Sequence, residues 1–390
     1  LFDMEIAGIA MDSQALLEYG NKLAVRIAEL EQSIYIQAGE EFNINSPKQL
    51  GVILFEKLGI QGGKKTKTGY STAAVVLEEL AGANPIISDI LEYRQLAKLK
   101  STYADGLANC LDEDGRVRST FMQTVTATGR ISSTEPNLQN IPVRTEYGKE
   151  IRKAFVPEEG CILLSSDYSQ IELRVFAHFS KVPNWLEAFK NDMDIHTRTA
   201  MDIFGVKEDE VTSMMRRQAK AVNFGILYGI SSFGLAEDLG ISVKEAKEFI
   251  DKYFETYSGT KVYMNKVVKE AYENGFVSTI MNRKRRIDEL NNTNYMIRQQ
   301  GERMALNTPI QGSSADILKK AMIDIYKEFK EKNIKSKMIL QVHDELIFNV
   351  LKDEEKVVTE IVDRCMDNAY KLDVPLKVDI QTGINWYDAK

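Results

Sequence analysis

A mixed α+β fold is predicted, and three observations predict it. Apolar residues recur at helical spacing over residues 13–40 and again through 184–275. Residues 116–156 turn to Thr, Ser, Asn and Pro, a composition of short strands and loops. Two short apolar runs each deliver acids: 161–164 leads into Ser165, Ser166 and Asp167, and 337–350 carries His343, Asp344 and Glu345 at its centre. At 390 residues the chain is long enough for two or three domains of about 150 residues each.

Taken in order, residues 13–40 read as an amphipathic helix, with Leu16, Leu17, Leu23, Val25, Ile27, Leu30, Ile34 and Tyr35 near helical period. The glycine-flanked, acid-free stretch 59–72 breaks it with Lys64, Lys65 and Lys67, and helical signal resumes over 73–80 and 86–104. The first hundred residues thus read as a helical arm with a basic tip. Residues 161–164 form a strand that hands Asp167 to the start of a helix over 171–179. Residues 184–275 read as an inserted helical domain with start signals at 209–211 and 242–245. One or two helices over 298–329 are expected to be interrupted near Pro309. Last comes a hairpin, with Met338, Ile339, Leu340 and Val342 facing Leu346, Ile347 and Phe348 across an acidic turn.

Composition removes several function classes. With 44% hydrophobic and 27% charged residues the chain is an ordinary globular one, not disordered, collagenous or a coiled coil. No run reaches the roughly 18 uncharged apolar residues of a membrane span, and Asp3, Glu5 and Asp12 replace a basic signal-peptide start, so a soluble, unsecreted protein is expected. Three distant cysteines, Cys110, Cys161 and Cys365, predict neither a disulfide framework nor a zinc cluster. Residue 1 is Leu, from which a chain cut from a longer one is expected. The net charge of −7 excludes a uniformly basic nucleic-acid binder, yet cations gather at Lys64, Lys65 and Lys67, at Arg216, Arg217 and Lys220, and in the run 283–286. Each cluster alone reads first as a solvated face.

The sequence around Gly63 and Lys64 lacks the rest of a P-loop, neither G-x-G-x-x-G nor H-E-x-x-H occurs, and only His178, His196 and His343 are available as imidazoles. Oxygen-ligand chemistry remains. If Asp167 meets the Asp344 and Glu345 pair in space, their repulsion calls for a cation, and carboxylates with open positions suit Mg²⁺. In MMRRQAKAVNFGILYG (214–229), Arg216, Lys220, Phe224 and Tyr228 recur every fourth residue, a helix stripe basic in its first half and aromatic in its second. Such a stripe can neutralise a triphosphate and stack a base, or it can be an amphipathic helix with snorkelling cations.

DYSQIELR (167–174), RRQAKAVNFGILYG (216–229) and QVHDEL (341–346) closely resemble motifs A, B and C of family A DNA polymerases, the DNA polymerase I type. TATGRISSTEPNLQNIPVR (126–144), DIHTRTAMDIFGV (194–206), ERMALNTPIQGSSADI (302–317) and the thumb-tip-like KTKTGYST (65–72) extend the resemblance over nearly the whole chain.

The resemblance implies a right-hand polymerase fold with an antiparallel-sheet palm (1–12, 106–180 and 296–390), helical fingers (181–295) and a helical thumb (13–105). It implies template-directed DNA synthesis on a primer 3′-hydroxyl by two Mg²⁺ ions, with Mn²⁺ able to substitute. Asp167, Asp344 and the Tyr168 backbone carbonyl would be metal ligands, with Glu345 and Lys220 catalytic beside them. Arg216, Lys220, Phe224, Tyr228, His196, Gln170 and Glu172 would meet the nucleotide, Glu172 blocking a ribose 2′-hydroxyl. Arg130, Asn140, Arg303, Asn307, Gln311, His343, Lys64, Lys65 and Lys67 would meet DNA, a minor groove offering similar acceptors at every pair. Implied partners are primer–template DNA and deoxynucleoside triphosphates, with no membrane and a monomeric protein in a bacterial cytoplasm. No proofreading exonuclease is expected in this chain. The sequence departs from the family pattern at Asn349, Val350 and Leu351 after motif C, and at Asn282 before the basic run. A single-subunit RNA polymerase and a non-catalytic nucleic-acid-binding relic are the competing readings. Glu172 speaks against the first, and retention of Asp167, Asp344, Lys220 and Tyr228 against the second.

Overall fold

The computed structural model describes residues 1–67, 69–82, 84–143 and 145–390. Thr68, inside the 65–72 segment, and Arg144, which ends the 126–144 segment, lie outside the described residues. The chain forms two compact units, one of Leu1–Thr120, Thr134–Leu163 and Thr382–Lys390, the other of Phe121–Ser133 and Leu164–Gln381.

In the first unit the expected helix spans Ser13–Ala38. Asp12 caps it by accepting the Ala15 N–H at 2.9 Å, and Gly39 ends it in the left-handed conformation. Its buried stripe of Leu16, Leu23, Leu30 and Ile34 packs on the Pro85–Leu99 helix. Arg26 locks the pair by a two-pronged contact to Glu92 at 2.8 and 2.9 Å. Two expectations change here. Residues 86–104 are not one regular helix, because the turns widen to π geometry over Lys100–Asp105. The 59–72 break contains a small antiparallel pair, Lys65–Thr66 with Gly69–Tyr70, too short to show an alternating pattern. Residues 47–57 also fold, as Pro47–Gly51 and a π segment Val52–Lys57, where no helix was expected. Phe155–Val156, Ile9–Met11 and Arg116–Val117 form a three-stranded sheet, with Trp386 edge-on to Phe155 at 5.2 Å between centroids.

The second unit is built on a four-stranded sheet in the order Lys337–Val342, Glu345–Leu351, Cys161–Tyr168, Val378–Gly383. The hairpin is antiparallel, with Lys337 opposite Asn349 at its base and Val342 opposite Glu345 at its tip. A bulge between Met338 and Leu340 leaves Ile339 as an extra residue. Ser336 anchors the base: its N–H and hydroxyl donate to Glu354 at 2.7 and 2.6 Å, and its oxygen accepts the Leu351 N–H at 3.0 Å.

Expectation and structure part at Pro309. Residues Tyr295–Glu331 form one uninterrupted helix of 37 residues with Pro309 inside it. Proline removes one ladder bond and crowds the preceding turn, at a cost of about 3 kcal/mol. Hydroxyls on either side bond back to carbonyls of the same helix: Thr308 donates to Met304 O at 2.6 Å, Ser314 to Ile310 O at 3.0 Å, and Ser313 to Pro309 O. Burial of Ala305, Leu306, Ile310, Ile317 and Leu318 against the rest of the unit supplies roughly 1.5–3 kcal/mol for each large side chain and offsets the defect. Gly312 allows the close approach, since a Cβ there would lie 2.5 Å from Thr279 Cγ2. The start signal at 209–211 is also displaced: Glu208–Glu210 is a 3₁₀ turn, and the motif B helix begins at Ser213 under a Thr212 cap. The 242–245 signal is a capping box, as expected.

Candidate nucleotidyl-transfer site

The strand Cys161–Tyr168 is longer than expected, so Asp167 is its penultimate residue. Side chains and backbone tie it to the hairpin. Ser165 donates to Glu345 Oε1 at 2.7 Å, Ser166 to Leu346 O at 3.4 Å, and the Tyr168 N–H to Asp344 O at 3.2 Å. These links set Asp167 beside the turn formed by His343 and Asp344, where His343 adopts φ +54° and its carbonyl accepts from Gln341 Nε2 at 2.6 Å. Glu345 is fully buried, and its bond to Ser165 braces the sheet beneath the two Asp residues.

Loss of hydration pushes the Asp344 carboxyl up to about 7; the charges of Glu172 and Asp167 add to this and Arg130 opposes it. Among the described residues no group of three or more His, Cys, Asp or Glu could hold a metal. Two carboxylates that repel each other across a fixed strand-to-turn geometry nevertheless form a donor set for a hard divalent cation that takes its remaining ligands from water, carbonyl and phosphate oxygen. The residues present fit such an ion.

Glu172 lies in the first turn of the Ile171–Ser180 helix, 6% exposed, and its charge is matched. Arg130 Nη2 donates to it at 2.5 Å and the Tyr228 hydroxyl donates to its other oxygen. Gln311 bonds to the same Tyr228 oxygen, and burial with the adjoining carboxylate holds that phenol above its ordinary range. Gln170, at φ +55°, precedes this helix and its carbonyl accepts the Arg174 N–H at 3.1 Å.

The motif B helix, Ser213–Leu227, presents Lys220, Phe224 and Tyr228 to one cavity of about 570 Å³, which Arg303 also lines. Arg216 breaks the expected stripe. Its guanidinium grips Asp194 at 2.8 and 3.1 Å, and Arg217 lines the cavity instead. Asp194 also caps the Ile195–Phe204 helix through the Thr197 N–H at 2.7 Å, and Arg216 with that N–H holds it down at about 2 despite burial. His196, two residues on, is 2% exposed, with its ring 5.7 Å from Phe224. Burial, helped by Arg216 and Lys220 and opposed by Asp194, lowers it to about 4, so it is neutral at neutral pH.

Arg303, Asn307 and Gln311 follow one another at four-residue spacing on the long helix, and Asn307 Oδ1 is buried without a protein partner. The basic run disperses: Arg283 binds Asp316 at 2.9 Å, Arg285 donates to Thr308 at 2.8 Å, and Lys284 lies over the Phe276 ring. Arg283 covers Gly129, whose φ of +83° and lack of a side chain permit the contact, and Lys319 donates to the Gly129 carbonyl. The loop carrying Arg130 is thereby clamped. Lys64, Lys65, Lys67 and Asn140 belong to the first unit. Lys64 pairs with Glu79 at 3.0 Å, Lys65 lies over Tyr70, Lys67 is exposed, and the Asn140 carbonyl accepts from Tyr103 at 2.5 Å. Sequence reasoning placed Arg217 only in a basic cluster and missed Asp194, Asn223 and Asp316; the Asp before an amphipathic run was the available signal for Asp194.

The family model of DNA polymerase family A matches residues 13–388. DNA polymerase I of Bacillus subtilis (strain 168) is 56% identical over 392 residues, and that of Bacillus caldotenax 55% over 393; the matches take in all of this chain and 44% and 45% of those proteins. The chain thus spans less than half the length of these relatives. Among solved structures, the POL domain of Pol1 from M. smegmatis, in complex with DNA primer-template and dNTP, superposes with a TM-score of 0.94 at 45% identity over 99% of this chain and 68% of that one. The fold is accordingly the right-hand polymerase fold, and the chain belongs to DNA polymerase family A.

Proposed function

We propose that this chain is a template-directed DNA polymerase that adds deoxynucleotides to a primer 3′-hydroxyl and releases pyrophosphate. The carrying observation is the convergence of Asp167 with Asp344 at one strand-to-turn edge, where burial and the charges of Glu172 and Asp167 raise the Asp344 carboxyl. The cavity lined by Lys220, Phe224 and Tyr228, and the DNA-bound and dNTP-bound state of the M. smegmatis structure, support the same reading.

Asp167, Asp344 and the Tyr168 carbonyl would hold two Mg²⁺ ions, or Mn²⁺ in their place. Those ions, when bound, lower the charge barrier between a 3′-oxygen and an α-phosphate and stabilise the departing pyrophosphate. Lys220 and Arg217 on the cavity wall neutralise triphosphate charge, and Arg216 joins them by exchanging Asp194 for phosphate. Neutral His196 donates a hydrogen bond without adding charge. Phe224 lies beside base and sugar, while Tyr228, held by Glu172 and Gln311, fills the insertion site until the nucleotide displaces it. Glu172, fixed from two sides, stands where a 2′-hydroxyl would have to go. Arg130, Arg303, Asn307 and His343 face the primer–template, as do Asn140, Lys64, Lys65 and Lys67 from the first unit. In this reading 13–105 is the thumb, 181–295 the fingers and the remainder the palm of a monomer working in a bacterial cytoplasm. No helix among the described residues is long and apolar enough to cross a membrane.

Primer extension with Mg²⁺, comparing deoxy- and ribonucleotides, tests this. Template-dependent extension with strong preference for deoxynucleotides is expected, and failure to extend with either set overturns it.

A further inference from the structure

We infer that Asn223 is a positioning residue whose side-chain amide selects the tautomer of His196, leaving Nε2–H as the donor offered to the incoming triphosphate. This rests on the reading that His196 meets that triphosphate.

Asn223 lies on the buried face of the motif B helix, 0% exposed. Its Nδ2 is 3.1 Å from His196 Nδ1 on the neighbouring Ile195–Phe204 helix, 27 residues away in sequence. The NH₂ end of the amide faces the ring, and the hydroxyl of Thr199, fully buried one turn after His196, lies 3.2 Å from Asn223 Oδ1 and 3.0 Å from its Nδ2, so it bonds the amide and restrains its rotation. An amide N–H can only donate, so Nδ1 must accept and the ring proton must sit on Nε2.

The charged groups that act on the ring are Asp194, Arg216 and Lys220. Asp194 could in principle take an Nδ1 proton, but Arg216 and the Thr197 N–H already occupy it. Buried among two cations, the ring stays neutral, and its low pKa agrees with this arrangement. The Phe224 ring 5.7 Å away limits the ring's rotation. Chemically, a neutral Nε2–H donor holds a phosphate oxygen without competing with Lys220 or with metal for charge. The opposite tautomer would turn a lone pair on that oxygen and repel it.

The protein has three histidines, so a ¹⁵N-histidine spectrum of the whole chain is simple, and His196→Gln identifies the resonance. The Nε2–H tautomer is expected at His196 from pH 8 down to about 5. Asn223→Asp keeps the side-chain shape and replaces the donor with an acceptor, so the ring should switch to Nδ1–H. KM for the deoxynucleotide should then rise roughly 10-fold, the loss of one hydrogen bond to a charged acceptor, with kcat changing less. Thr199→Val frees the amide to rotate and should give a mixed tautomer. A wild-type His196 bearing its proton on Nδ1, or an Asn223→Asp protein with an unchanged tautomer, overturns the inference. If the tautomer switches while KM stays constant, and His196→Gln also leaves KM unchanged, the positioning holds and the triphosphate reading fails.

Discussion

Asp316 and Asp344 belong to the same unit and face opposite electrostatic situations. Asp316, on the long helix, is 4% exposed and fully matched: Arg283 donates at 2.9 Å and Thr279 at 2.6 Å. Asp344, at the hairpin tip, feels the charges of Asp167 and Glu172, and Arg130, the cation that opposes them, is already committed to Glu172. A fold pairs the charges it buries for its own sake, because an unmatched buried charge costs several kcal/mol. Where like charge outweighs the cation that acts on a buried acid at a rigid edge, as at Asp344, a cation from outside can complete it. That deficit, more than any single residue, separates a structural acid from a working one.

The largest expected effect breaks the comparison outright. Asp344→Asn, or Asp167→Asn, should lower extension at least about 10³-fold while primer–template affinity stays within about tenfold, since phosphate contacts supply most of the binding. Single-turnover kinetics beside a binding titration decide it, and near-normal extension would make Asp344 an ordinary turn acid.

Glu172→Ala sharpens the contrast, because Glu172 is an acid of the site that does have its own cation. Loss of the side chain should relax discrimination against ribonucleotides by about 10²-fold. It also strips Arg130 and Tyr228 of their shared partner, so kcat for deoxynucleotides should fall as well. The ratio of kcat/KM for the two substrate classes reads the first effect, and an unchanged ratio assigns the gate elsewhere.

Stability should move in opposite directions at the two acids. Asp316→Asn leaves Arg283 and Thr279 poorly matched and should cost about 2–3 kcal/mol in denaturant unfolding. Asp344→Asn removes a repelled carboxylate and should leave the metal-free protein unchanged or slightly more stable. Equal losses at both positions would erase the distinction.

The smallest effect is a pH slope. Asp344 titrates near 7 in the folded chain against about 3.9 when unfolded, so the folded state holds the extra proton between those values. Its stabilising contribution is present below about 4 and is lost as pH rises through 7. His196, at about 4 folded against about 6.5 unfolded, contributes above about 6.5 and loses that contribution as pH falls toward 4. Metal-free unfolding curves of Asp344→Asn and His196→Gln should each lack one of these opposed slopes.

Much of this was legible in one dimension because the signals are local. The hairpin, the strand that delivers Asp167 and the Ser242 capping box follow from alternation and capping chemistry within a few residues. The failures are all non-local. Pro309 predicts a break unless the helix around it is buried, and the partners that bury Leu306, Ile310 and Ile317 lie elsewhere in the chain. Arg216 shows no partner in the sequence, and only the fold brings Asp194, the cap of another helix, to its guanidinium. Arg283 reads as part of a basic surface run, although Asp316 draws its guanidinium toward the helix and Gly129 lies beneath it. Asn223 lies inside the 216–229 motif with no role that the sequence assigns, and only the neighbouring helix gives it a task.

The bulge at Ile339 bears on how this hairpin tolerates changes in length. Its base is pinned through Ser336 and Glu354, its tip through the Tyr168 N–H on Asp344, and the two anchors are out of step by one residue along the first strand. Ile339 is where that slack is stored. Delete it, and a straight ladder still joins both anchors with Asp344 at the tip. Delete Gln341 instead, and every partner between the bulge and the turn slips by one, which moves the acid off the edge it shares with Asp167. The first strand therefore works as a vernier, adjustable at one position and fixed for the three residues beyond it.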